Sequence, residues 1–288
     1  MKTTLFKRIG MWSMLVFFFS QLSAQPQDEL LLPYLFHDSV AAKTTVSNNN
    51  NMPPIIPLQS GVRKYVNDYL NENAETLEII KERNSAKLKT IQKILVKRGI
   101  PAGLMYLAIV ESELSNSATS RVGAAGIWQL MPETARTLGL LVNGKTDQRR
   151  HTYQSSVAAA DYLKVLYKQF DDWLLVVAAY NCGAGNVYKA IKLSGSREFW
   201  KLQRFLPSET RNHVKHFIAT HFYYEANGSV VTLTRKERIQ YLASLNEVVT
   251  KEDEHTVADF PVSCIQPANA VLVAQHVCEL RLEIGKEK

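Results

Sequence analysis

The segment Trp173–Tyr180, WLLVVAAY, would be apolar on nearly every side of a helix, and this feature constrains the fold most. A helix without a polar face has to be covered by other elements around its whole circumference. Apolar residues at helical spacing over 60–98 and 154–170 indicate amphipathic helices that could cover it. Strand-like alternation is scarce before Val230. The sequence therefore predicts a mainly α-helical domain over residues 60–228.

Turn and cap residues mark the ends of the predicted helices. Gly99 and Pro101 end the first of them, because glycine favours the position after a helix and proline cannot continue one. Beyond Gly228, VVTLT favours a short strand, and the rest of the extension 229–288 has no assignable pattern. The predicted helices are 60–98, 101–114, 132–138, 154–170, 173–180, 186–193 and 207–226.

The N-terminal residues have the pattern of a secretory signal. Three basic residues precede the apolar run MWSMLVFFF, and the small residues of LSA end at Ala24. This pattern predicts a signal peptide over residues 1–24. A membrane anchor is the alternative, although the apolar run is short for a bilayer span. Residues 25–59, which contain NNNN and PPIIP, predict a flexible linker between the signal and the domain.

Export affects how the charge and the cysteines are interpreted. The net charge is +7, and three of the positive charges lie in the predicted signal, so the remainder carries about +4. Such a chain suits an anionic polymer, and nucleic acid is a weak candidate because an exported protein seldom meets it. An oxidising compartment permits disulfides. Cys264 and Cys278 could pair or stay free, and Cys182 is left over.

Glu111 is a carboxylate at the end of the apolar run LMYLAIV. It lies seven residues after Leu104 and four after Leu107, so on one helix it shares their inward face. Burial there would favour its neutral form, which can act as a general acid near neutral pH. The alternative is a buried ion pair with Arg149 or Arg150.

Two segments with polar residues follow Glu111 in the sequence. In SRVGAAGIWQLMP, small residues allow a close backbone approach, Gln129 offers a donor and an acceptor, and Trp128 offers a flat face. AAYNCGAGNV places Tyr180 and Asn181 at the end of the apolar helix, where buried polar groups need partners. Both segments could equally be plain packing motifs. The residues His213, His216 and His221 lack the spacing of a metal site and favour a packed or solvated cluster.

Taken together, these segments resemble the lytic murein transglycosylase (SLT-domain) family, and most closely its membrane-bound D-type members. The resemblance covers roughly residues 60–225 and implies a lysozyme-like α-helical fold. The motifs that carry it are, in order, ES at 111–112, S-x-x-GAAGIWQLMP from Ser120, DQRR from Asp147, AAYNCGAGNV from Ala178 and ETRN from Glu209. The chain departs from the family pattern at Ala184 for proline, His151 for aspartate and His213 for tyrosine. Sugar-binding LysM repeats are not recognisable.

The resemblance implies a role for each matching residue. Glu111 is implied as the catalytic acid and base, and Tyr180 and Asn181 as the pair beside it. Ser120, Gln129 and Met131 are implied to line the glycan cleft. No cofactor or metal is implied.

The implied reaction cleaves the β-1,4 bond between N-acetylmuramic acid and N-acetylglucosamine without water and leaves 1,6-anhydro ends. A goose-type lysozyme-like hydrolase and a non-catalytic scaffold that binds peptidoglycan are the alternatives. The expected partners are peptidoglycan strands, together with proteins of wall synthesis or division, and not nucleic acid. The expected location is the periplasm, or the outer membrane or cell surface.

The signal prediction has a direct test. When the chain is expressed with its own N-terminus in an exporting bacterium, we expect the exported protein to begin at Gln25. Intact-mass spectrometry of the envelope fraction should give the mass of residues 25–288. Retention of residues 1–24 would support the membrane-anchor alternative instead.

Overall fold

The computed structural model describes the backbone of residues 55–253 and the side chains of residues 55–245. The predicted signal peptide, most of the predicted linker, Cys264 and Cys278 lie outside the described residues. Cys182, which lies within them, is a free and half-buried cysteine.

Helices make up the regular secondary structure of the described part of the chain. The α-helices are α1 Ser60–Lys97, α2 Leu107–Ser112, α3 Pro132–Thr137, α4 Thr152–Phe170, α5 Trp173–Cys182, α6 Ala184–Ser194, α7 Phe199–Leu202, α8 Ser208–Glu225 and α9 Arg235–Asp253. Short 3₁₀ turns span Ala102–Tyr106, Gln148–Arg150, Gln203–Phe205 and Val230–Thr232. The prediction of a mainly α-helical domain is confirmed.

Two local predictions were wrong. The predicted helix 101–114 is divided into a 3₁₀ turn and the short helix α2, and α2 ends at Ser112 because the chain adopts left-handed backbone angles at Glu113 and Leu114. That turn buries the side chain of Leu114. VVTLT forms no strand: its first three residues make a 3₁₀ turn, whose start is capped by the Ser229 hydroxyl.

Helix α5 forms the centre of the core, as its sequence predicts. The side chains from Trp173 to Ala179 are all buried. Helices α4, α6 and α8 pack around α5, and α1 packs across α4 and α8. Burying this much apolar surface provides much of the driving force for folding.

Helix α8 presents a mixed face to the core. Its buried residues recur at helical spacing and include polar ones: Thr210, His213, Val214, Phe217, Ile218 and His221. Because α8 contacts both α2 and α5, its polar residues meet the polar ends of those two helices.

The last residues of the predicted linker range lie against the end of the domain. The Ile56 side chain is buried, and its backbone N–H donates to Asn227 Oδ1 at 3.0 Å. The N–H of Gly228 donates back to Ile56 O at 3.1 Å. A Cβ at Gly228 would lie 2.4 Å from Ile56 Cγ2, so only glycine allows this approach. Within residues 55–253, no helix is both long enough and apolar enough to cross a membrane.

Asp172 caps the N-terminus of α5 and is almost fully buried. Its carboxylate accepts hydrogen bonds from the backbone N–H groups of Leu175 and Arg235, at 3.1 and 2.6 Å. Burial nevertheless dominates, and it raises the pKa of Asp172 to about 6.

This pKa predicts how stability changes with pH. The folded-state pKa lies above that of the unfolded chain, so the native state binds the proton more tightly, and the resulting stabilisation is lost as pH rises from about 4 through about 6. Relative to Asp172→Asn, which does not titrate, the wild type should lose about 3 kcal/mol of unfolding free energy over that range. Urea unfolding of both proteins at a series of pH values measures the difference. A difference that stays constant with pH would contradict the assignment.

Candidate active site

Glu111 lies in the last turn of α2, with its side chain 14% exposed. The sequence predicts an inward orientation, and the buried Leu104, Leu107 and Ala108 share that side of the chain. Oε1 of Glu111 lies 3.0 Å from Nε2 of His213 on α8. The carboxylate is therefore enclosed but still open to a small area of solvent.

Arg149 and Arg150 do not pair with Glu111, so the ion-pair alternative is wrong. Arg149 forms two side-chain hydrogen bonds to Asp147, at 2.9 and 2.8 Å, and also donates to Gly123 O and Leu130 O at 2.7 and 3.0 Å. Hydrogen bonding from Arg149 lowers the pKa of Asp147. Arg150 Nη1 donates to Ser117 O at 2.8 Å. Both arginines thus fasten the loop 115–131, which follows Glu111.

Gly126 allows this loop to lie close to Arg149. Its φ is +77°, in the left-handed region, and a Cβ at this position would lie 1.9 Å from Arg149 O. Gly123 also has a positive φ, +87°, but a Cβ there would meet no atom within 4 Å. The left-handed backbone angles favour glycine at both positions, and at Gly126 there is also no space for a Cβ.

Trp128 faces the core and not the cleft. Its side chain is fully buried, and its Nε1–H donates to Ser156 Oγ at 2.9 Å. The expectation that its ring offers a flat face to a sugar is therefore wrong. The ring anchors the loop against α4, and Ser112 Oγ reinforces the attachment by donating to Ile127 O at 2.9 Å.

The other predicted cleft residues of the loop take part in its internal structure. Gln129 has a left-handed φ of 46°, and its Nε2–H donates to Gly126 O at 2.8 Å. The Ser120 hydroxyl accepts from Ala124 N at 2.9 Å. Met131 immediately precedes α3 and is 41% exposed. Ser120 and Met131 lie in the same loop, but neither is hydrogen-bonded to Glu111 within the described structure.

Tyr180 and Asn181 lie at the C-terminal end of α5 and connect it to its neighbours. The Tyr180 hydroxyl donates to Trp128 O at 2.7 Å. Burial first, and then the charge of Glu111, raise the pKa of Tyr180 well above its ordinary value, so its hydroxyl stays neutral. The Asn181 side-chain oxygen accepts from Thr210 Oγ1 on α8 at 2.7 Å. The structure thus brings Tyr180 close to Glu111, and Asn181 to the helix that carries His213.

The sequence analysis missed His213 and Thr210 as members of this cluster. The available signal is the spacing of α8, because Thr210, Val214, Phe217 and Ile218 define an inward face that includes His213. The other two histidines are packed elsewhere: His216 lies against the rings of Tyr65 and Tyr69, and His221 lies 2.8 Å from Ser229 Oγ. No group of metal-ligating side chains occurs among the described residues.

Comparison with known proteins agrees with the motifs. Residues 89–203 match the family model of the transglycosylase SLT domain. The family resemblance predicted from the sequence is confirmed. The matched residues include Glu111, the loop 115–131, and Tyr180 and Asn181, whereas most of α1 and all of α8 lie outside them.

Named relatives extend the similarity beyond the SLT domain. The membrane-bound lytic murein transglycosylase D of Escherichia coli (strain K12) is 40% identical over 169 residues, which cover 57% of this chain and 37% of that protein. The chain thus spans little more than a third of that relative. The 70 kDa soluble lytic transglycosylase of Escherichia coli is a similar solved structure, with 24% identity, a TM-score of 0.47, and coverage of 62% of this chain and 31% of that one.

The close approach at Gly126 gives a stability prediction with a matched control. We expect Gly126→Ala to lower the unfolding free energy by about 2–5 kcal/mol, because left-handed strain adds to a steric clash with Arg149 O. Gly123→Ala has the strain without the clash and should cost only about 1–2 kcal/mol. Thermal unfolding of the three proteins measures both effects. Equal losses at the two sites would show that the loop does not press against Arg149.

Proposed function

We propose that the chain is a peptidoglycan lytic transglycosylase that cleaves the bond between N-acetylmuramic acid and N-acetylglucosamine and leaves 1,6-anhydro ends. The observation that supports this most directly is the environment of Glu111. A largely buried carboxyl group faces the imidazole of His213 and lies near the neutral hydroxyl of Tyr180. Its hydrogen-bond partner in the described structure is an imidazole and not a second carboxylate.

This arrangement suits a reaction that needs only one carboxyl group. Most glycosidases use two carboxyl groups, one as the acid and the other as a nucleophile or as a base for water. In the proposed reaction, Glu111 protonates the oxygen of the glycosidic bond. The C6 hydroxyl of the muramic acid then attacks C1 and gives its proton to the carboxylate of Glu111. Atoms and charge balance without water, so no second carboxylate is required.

The neighbouring groups support this chemistry without competing for the proton. Arg149 and Arg150 pair with Asp147 and not with Glu111. A guanidinium paired with Glu111 would favour its ionised carboxylate. The Tyr180 hydroxyl stays protonated, and it donates its hydrogen to Trp128 O and not to Glu111. We assign Ser120, Gln129, Met131, Tyr180 and Asn181 to the binding of the glycan, which offers many hydroxyl and amide groups to such side chains.

We infer that the chain is an exported protein with four parts. A signal peptide at 1–24 and a linker at 25–59 precede the catalytic domain at 60–228, and the extension 229–288 follows it. Export to the periplasm, or attachment to the outer membrane or cell surface, would bring the enzyme to peptidoglycan. The similarity to a membrane-bound murein transglycosylase supports a location in the cell envelope.

The proposal is tested by digesting purified sacculi with wild-type protein and with Glu111→Gln. We expect anhydro-muropeptides from the wild type, and turnover at least about 10²–10⁴-fold lower from the variant, because proton transfer belongs to the transition state. Binding to sacculi should change little. Mass spectrometry of the released products and a sedimentation assay provide the two readouts.

Glu113→Gln is the matched control. Glu113 lies two residues further along the chain and is exposed, so this change should leave turnover intact. Hydrated instead of anhydro products would support a lysozyme-like hydrolase. Sacculus binding without products from the wild type would support a non-catalytic scaffold. Equal loss of turnover in both variants would contradict the role given to Glu111.

A further inference from the structure

His213 on α8 is the hydrogen-bond partner of Glu111. Its side chain is 10% exposed, and Nε2 points at Glu111 Oε1 from 3.0 Å. The other ring nitrogen, Nδ1, is buried and has no hydrogen-bond partner in the described structure.

The unpartnered Nδ1 indicates where the proton of the neutral ring lies. If Nδ1 carried the hydrogen, a buried N–H would have no acceptor, and such orphaned donors are rarer in folded proteins than orphaned acceptors. If Nε2 carries the hydrogen, it donates to Glu111 Oε1 and only a lone pair is left without a partner. The second arrangement is therefore favoured.

We propose that His213 is a positioning residue whose Nε2–H holds Oε1 of Glu111 and thereby assigns proton transfer to Oε2. This inference rests on the function proposed above. The proton on Oε2 passes to the glycosidic oxygen, and Oε2 later takes the proton of the C6 hydroxyl. His213 keeps its own proton throughout. Its hydrogen bond becomes charge-assisted when the carboxylate forms, so it stabilises the transition state more than the ground state.

The test compares three variants with the wild type on sacculi. His213→Phe keeps a ring but removes the donor, and we expect kcat to fall about 10–100-fold with little change in KM. His213→Gln keeps an N–H donor, so it should recover most of kcat. His216→Gln removes the neighbouring imidazole and should keep the kcat and KM of the wild type.

The opposite results would overturn the inference. These are a His213→Phe variant with kcat within about twofold of the wild type, a His213→Gln variant as impaired as His213→Phe, or an equal loss of kcat in His216→Gln.

A spectroscopic measurement separates this inference from the proposed function. The ¹⁵N spectrum of the imidazoles, assigned with the His213 variants, should show the Nε2–H tautomer in the wild-type protein at neutral pH. Its signals should shift in Glu111→Gln. The Nδ1–H tautomer, or no shift, would overturn the positioning role. If the wild type releases no products from sacculi, the proposed function fails, and the spectrum still decides whether His213 holds Glu111.

Discussion

The burial of α5 is the constraint on which the rest of the structure depends. A helix with no polar side chain from Trp173 to Ala179 has to be enclosed, and α4, α6 and α8 pack around it while α1 packs across α4 and α8. Its polar groups are confined to its two ends, where Asp172 caps the first turn and Tyr180 and Asn181 reach the neighbouring elements. The candidate site lies at the second of these ends, so the apolar core fixes the position of the chemistry.

The electrostatics of the site depend on which groups pair with Arg149 and Arg150. These arginines bind Asp147 and backbone carbonyls of the loop 115–131, and neither pairs with Glu111. The carboxyl group is left with an imidazole and a nearby neutral phenol, and no arginine of the described residues is paired with it. In the proposed reaction Glu111 gives and then regains a proton, and surroundings without a paired guanidinium suit both steps.

The sequence predicted the features that depend on local periodicity. The extent of α1, the burial of α5 and the inward side of Glu111 all follow from the spacing of apolar residues. It could not predict features set by contacts between distant segments. Trp128 turns inward because Ser156 accepts its N–H, and the pairing of His213 with Glu111 joins residues 102 positions apart. VVTLT has strand propensity, but the Ser229 cap favours a turn.

The contact of Ile56 with Asn227 and Gly228 brings together the two ends of the segment 56–228. The N–H of Ile56 donates to Asn227 and the N–H of Gly228 donates to Ile56, so these two ends are held side by side. A pulling force applied at residues 56 and 228 would load these two hydrogen bonds before it reached α5. Because these two ends lie side by side, a short peptide linker could join them, and the domain could be circularly permuted with new termini in an exposed loop.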